Sequence, residues 1–91
     1  MISVHLPQDL ANQYGLDNPL QVAEAPTVVD LLDGLAHTHP ALAARLMLPN
    51  GSIRPHLNLF TTHARSPVQG AGNADLHPND EVWVIRAVSG G

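Results

Sequence analysis

Apolar and polar residues alternate along the first stretch of the chain, with Ile2, Val4 and Leu6 on one side and Ser3 and His5 on the other, until Pro7. A period of two marks a strand with one face buried, and proline, which has no N–H to give to a ladder, ends it. Gln8 to Pro19 carries Asn12, Gly15, Asp17, Asn18 and Pro19 and reads as a turn or loop. Leu20-Gln21-Val22-Ala23 resumes the alternation, so the pattern predicts an antiparallel hairpin with a long connection. Beyond it the period changes. Val28, Leu31, Leu32, Leu35 and Ala36 recur at the spacing of one helix face, leaving Asp30, Asp33 and His37 to look outward. Thr27 followed by Asp30 supplies a capping-box-like start, and Pro40 a stop. Gly34 inside this helix costs about 1 kcal/mol relative to Ala, offset if it lets a strand approach closely. Ala41 to Leu48 adds a further helical turn before the break at Pro49-Asn50-Gly51.

A third strand is predicted at His56 to Thr62, with Leu57 and Leu59 on one side and Asn58 and Phe60 on the other. Ser66 to Asn79, containing Gly and Pro, leads to the last strand, where Val82 and Val84 alternate with Trp83 and Ile85 before Arg86. Both faces of that strand are apolar, while the chain has one main helix to cover one of them. Phe60, Trp83 and Ile85 are therefore expected to form an exposed apolar patch on the sheet face away from the helix, and together with the adjoining Arg86 to make the partner interface. The competing expectation is that the 66–79 loop covers Trp83 within the monomer.

Composition narrows the classes of function. Ninety-one residues make one domain, and 44% apolar against 13% charged residues is ordinary for a globular one. A net charge of −4, from eight acids against four arginines, disfavours a phosphate backbone and suits an electropositive protein partner better. No apolar run nears the roughly 18 residues that span a bilayer, and the start lacks a basic secretion-signal region, so the expected address is cytoplasmic, with no membrane partner. The chain has no cysteine and no lysine. That excludes a disulfide framework, a thiolate zinc site, a thiol nucleophile and any side-chain amine. Six histidines are present. His37 and His39 fall on different helix faces, and His5, His56, His63 and His77 are dispersed along the sequence, so no metal site is expected. No P-loop, dinucleotide fingerprint or Ser/His/Asp spacing suggests a self-sufficient enzyme, and no bound cofactor is expected.

The sequence ends at Val88-Ser89-Gly90-Gly91, directly behind the strand-like run. Glycine has no Cβ to obstruct a narrow channel and reaches backbone angles closed to other residues. A fully extended arm from Ala87 to Gly91 spans about 17 Å at roughly 3.3 Å per residue, enough to enter a partner's buried site while the domain stays outside. The chain thus divides into a domain over residues 1–86 and a tail over residues 87–91.

The order strand, strand, helix, strand, strand, followed by Gly-Gly, resembles the ubiquitin-like β-grasp sulfur carriers of the ThiS/MoaD type over essentially the whole chain. These are the small subunit of molybdopterin synthase and the thiamine-biosynthesis and cysteine-biosynthesis sulfur carriers. Arg45-Leu46-Met47, Arg54 to Phe60 and Leu76 to Ile85 carry the likeness. The first two segments look closest to the cysteine-biosynthesis carrier, and Ser89 departs from the Ala or Gly usual before Gly-Gly. The resemblance implies an α+β fold, a mixed four- to five-stranded sheet packed on one main helix with a protruding tail. It also implies that Gly91 is the reacting residue: an E1-like enzyme using ATP adenylates its carboxylate, a sulfur donor or sulfurtransferase converts it to a thiocarboxylate, and a downstream enzyme accepts the sulfur. Val88, Ser89 and Gly90 would enter the partner's site. Two alternatives share the fold: a protein modifier joined through Gly91 to target lysines, and an accessory subunit delivering its tail into a molybdopterin-synthase-like complex.

Overall fold

In the structure, a computed structural model, residues 1–64 and 66–86 are described. Strands β1 (Ile2–His5), β2 (Leu20–Val22), β3 (Leu57–Thr61) and β4 (Glu81–Arg86) form one mixed sheet in the order β2-β1-β4-β3. β1 runs antiparallel to β2 and parallel to β4, and β4 is antiparallel to β3. The two central strands thus come from opposite ends of the described chain. Their alternation does what the pattern predicts: Ile2, Val4, Val82, Val84, Leu57 and Leu59 are buried on one face.

Three helices lie in the connections: α1 (Gln8–Tyr14), α2 (Val28–Thr38) and α3 (Pro40–Leu46). α2 buries Val28, Leu31, Leu32 and Leu35 of the stripe expected of it, while Ala36, the last of that stripe, is exposed near the end of the helix. Thr27 caps it by accepting the Asp30 N–H at 3.3 Å while donating its hydroxyl to the Asp30 carboxylate. Pro40 occupies the first turn of α3, where a missing N–H costs nothing. Gly34 does not serve a close approach, because a Cβ built there meets nothing within 4 Å.

The segment read as a loop from Gln8 to Pro19 instead contains α1. Leu10 and Ala11 pack into the core with Tyr14 against it, a spacing of i, i+1 and i+4, and Gly15 closes the helix in the left-handed conformation at φ 62°. Polar turn residues after the helix masked this short apolar stripe. Asn18 then binds both backbone groups of Leu6, accepting its N–H at 3.0 Å and donating to its carbonyl at 2.9 Å, which pins the return of the chain to β2. After residue 65 the chain folds back beside β3. Val68 and Leu59 exchange backbone hydrogen bonds of 2.7 and 3.1 Å, a single bridge in place of a fifth strand. Farther on, Ala74 accepts from Val28 and Leu76 donates to Pro26, tying this segment to the start of α2. No described helix is long and apolar enough to cross a membrane.

Candidate functional site

On the sheet face away from the core, alternation sets out Ser3 and His5 of β1, Gln21 of β2, Glu81, Trp83 and Ile85 of β4, and Asn58 and Phe60 of β3. Phe60 and Trp83 stand directly opposite each other in the β3–β4 register. Phe60 is 36% exposed and Ile85 46%, both high for large apolar side chains. Trp83 is half-buried. Its indole stacks on the His5 imidazole of the neighbouring strand, centroids 5.1 Å apart and planes 10° from parallel. His5 is held in turn by Glu81, 2.8 Å from its Nε2. The predicted apolar patch of Phe60, Trp83 and Ile85 is therefore assembled on one face, with His5 as a member that the strand alternation placed there but that was read only as a dispersed histidine.

Arg86 is not part of that face. Alternation turns it to the same side as Val82 and Val84, and there its two terminal nitrogens reach the two carboxylate oxygens of Asp9 on α1 at 2.9 and 2.8 Å. A parallel fork of this kind is the strongest arrangement available to an arginine and a carboxylate. It holds the Asp9 carboxyl below the usual carboxylate range and raises the Arg86 guanidinium further. The partner surface inferred for Arg86 thus lies around the end of β4, on the opposite side of the strand from Trp83 and Ile85.

Beside Arg86 is a cavity of about 310 Å³ lined by Leu10, Arg45, Arg54, His56, Leu57 and Arg86. Arg54 is fixed across the end of α3, its Nε and Nη2 donating to the Ala44 carbonyl at 3.1 and 2.8 Å, which satisfies an oxygen left over by the helix terminus. Arg45 and Arg54 were singled out in the sequence only as carriers of a family likeness. Their convergence with Arg86 depends on α3 and the approach to β3 meeting the far end of β4, and no local spacing reports it.

The histidines are also less scattered in space than in sequence. The 66–79 segment returns alongside β3 and brings His77 to His63, ring centroids 4.3 Å apart, with His63 Nε2 3.1 Å from the buried carboxylate of Asp80. Asp80 also accepts the His77 N–H at 2.8 Å, so it organises the turn that starts β4. Among the described residues no group of three His, Asp or Glu is disposed to hold a metal ion. Val88, Ser89, Gly90 and Gly91 lie outside the described residues.

No protein-family model and no curated protein sequence matches the chain. Solved structures do. The Amycolatopsis orientalis BexX/CysO complex contains a chain that superposes with a TM-score of 0.76 at 21% identity, covering 100% of both chains. SAMP1 of Haloferax volcanii, a small archaeal modifier protein, matches with a TM-score of 0.67 at 28% identity over 99% of this chain and 98% of its own. Mycobacterium tuberculosis CysO matches with a TM-score of 0.73 at 19% identity over 97% and 100%. The chain therefore has the ubiquitin-like β-grasp fold of CysO and SAMP1, as its resemblance to the sulfur carriers led one to expect.

Proposed function

We propose that this chain is a sulfur carrier protein acting through the carboxylate of Gly91, and a co-substrate of other enzymes instead of a catalyst itself. The observation that carries this reading is the end-to-end likeness in fold to CysO and SAMP1, joined to a central strand that ends at Arg86, after which the sequence runs on to Gly90-Gly91. An oxygen of the Gly91 carboxylate would attack the α-phosphate of ATP in an E1-like adenylating enzyme, releasing pyrophosphate and leaving an acyl-adenylate. Hydrosulfide or an enzyme-bound persulfide, delivered by a sulfurtransferase, would then displace AMP. The persulfide route needs a reductant to release the thiocarboxylate; the hydrosulfide route does not. An acceptor enzyme would use the sulfur in making a metabolite such as cysteine, thiamine or molybdopterin. A chain without thiol or side-chain amine offers the acyl-adenylate no nucleophile of either kind from within itself.

The likeness to SAMP1 favours one second reading, in which a lysine amine of another protein displaces AMP and an amide forms. Intact-mass analysis after incubation with ATP, the adenylating enzyme and a sulfide donor separates the two. The carrier reading expects Gly91 with one oxygen exchanged for sulfur. Protein conjugates resistant to reduction, with no thiocarboxylate under sulfur-replete conditions, would overturn it.

A further inference from the structure

The chain has four arginine and no lysine side chains against eight acids, and three of the four, Arg45, Arg54 and Arg86, line a single cavity beside the end of β4. His56 joins them. Like charges brought together repel, so such a gathering is costly unless something negative completes it. Among the described residues the only carboxylate paired with any of the three is that of Asp9, which engages Arg86. Arg54 is oriented by the Ala44 carbonyl, a neutral group that positions the guanidinium without cancelling its charge. The Arg45 side chain makes no hydrogen bond or ion pair among the described residues. Three guanidiniums against one paired carboxylate give the described side chains here a positive formal charge, opposite in sign to the −4 of the whole chain, and the whole-chain balance misleads about what docks here.

We infer that the arginine cavity is a docking site for an acidic segment of the protein that receives residues 87–91, with carboxylate side chains of that segment seated among Arg45, Arg54 and Arg86. Three observations favour carboxylates on a protein over a free anion. The cavity, at about 310 Å³, is far roomier than one small oxyanion needs, and Leu10 and Leu57 are among its lining residues beside the arginines. Arg86 already holds a carboxylate in the fork geometry, with Asp9 as an internal competitor for the site. The cavity also borders the last described residue of β4, where any protein that takes in residues 87–91 has to stand. Such a partner would straddle the strand end, acidic on this side and apolar over Phe60, Trp83 and Ile85 on the other. Charge pairs of this kind chiefly set encounter rate and orientation, fixing which way round the domain approaches.

The identity of the partner rests on the carrier reading; the anion chemistry of the cavity does not, and the test is chosen to separate them. Full-length ¹⁵N-labelled protein is titrated with a pentaglutamate peptide at low salt, with inorganic phosphate as the parallel arm, following backbone and arginine Nε resonances. Expected are shifts centred on Arg45, Arg54, His56 and Arg86, weakened about tenfold or more by Arg45→Glu, retained in Arg45→Lys, strengthened by Asp9→Asn and lost at high salt. The Arg45→Glu spectrum itself reports whether that variant is folded. Shifts elsewhere, or affinity unchanged in a folded Arg45→Glu variant, would overturn the inference, as would phosphate matching pentaglutamate, which would make the cavity a site for free anions. Neither ligand involves chemistry at Gly91, so the cavity can bind pentaglutamate whether or not Gly91 is thiocarboxylated, and the reverse.

Discussion

Leu59 and Phe60 are consecutive residues of β3 and should behave as opposites. Leu59 points into the core at 1% exposure, and Phe60 points out of the other face at 36%. Truncating Leu59 to alanine removes a buried isobutyl group and leaves a cavity beside Val84, its partner across β4. The expected loss is ~2–5 kcal/mol, a large share of the ~5–15 kcal/mol that holds a domain together. At roughly 4–8 °C per kcal/mol for a domain of this size, Leu59→Ala should lower Tm by on the order of 10 °C or more. Phe60→Ala gives up only the contacts of a ring that is already partly in water, so a loss of about 1 kcal/mol is expected. Binding should reverse the order. If the outer face is where the adenylating enzyme docks, removing an aromatic anchor costs ~2 kcal/mol, about 30-fold in Kd, while folded Leu59→Ala should bind as the parent does. Urea unfolding of both variants and titration against the adenylating enzyme make the comparison. Equal destabilisation by the two, or an unchanged Kd in Phe60→Ala, would refute the assignment of faces to roles.

Four further outcomes follow from particular contacts. Thr27→Ala, which deletes the cap of α2, should cost about 1 kcal/mol in urea unfolding. Asp80→Ala strips the His77 N–H and His63 of their shared acceptor at a buried position and should cost ~1–3 kcal/mol, read as a fall in Tm. Because Arg86 lowers the Asp9 carboxyl in the folded state, that pair stabilises the fold fully above the ordinary carboxylate pKa of about 4 and loses its contribution as pH falls through the lower folded value. Asp9→Asn should flatten that part of an acid-unfolding curve. Deleting Gly90 and Gly91 should leave Tm unchanged and abolish thiocarboxylate formation in the intact-mass assay; a fall in Tm would make the tail structural.

Where residues close in sequence decided the structure, the sequence was legible. The alternation of Ile2 and Val4, of Leu57 and Leu59, and of Val82 and Val84 named the buried face, and with it the outward Phe60 and Ile85. The 3.6-residue stripe from Val28 to Leu35 and the Thr27 cap placed α2. α1 was missed because seven residues offer too few periods for its stripe to stand out against the turn formers Gly15, Asp17, Asn18 and Pro19, although Pro7 before and Gly15 after are the usual helix punctuation. The arginine cavity and the His63–Asp80–His77 contact were illegible for another reason. Each joins residues set side by side only by the tertiary return of the chain, and periodicity carries no information about that. The stacking of His5 on Trp83 lies between these cases, since both faces were readable but the parallel β1–β4 register that aligns them was not.

That parallel register also decides how the domain answers a pull. β4 is hydrogen-bonded along both edges, to β1 and to β3, and residues 87–91 continue from its end. A partner that drags the tail inward loads β4 along its own axis, and both ladders must slide together for the strand to leave. An edge strand in the same position could be peeled one hydrogen bond at a time, like a zip. Shear resistance of this sort lets a receiving site draw on the terminus with considerable tension while the core stays closed, so work spent on seating the tail is not dissipated in unravelling its owner.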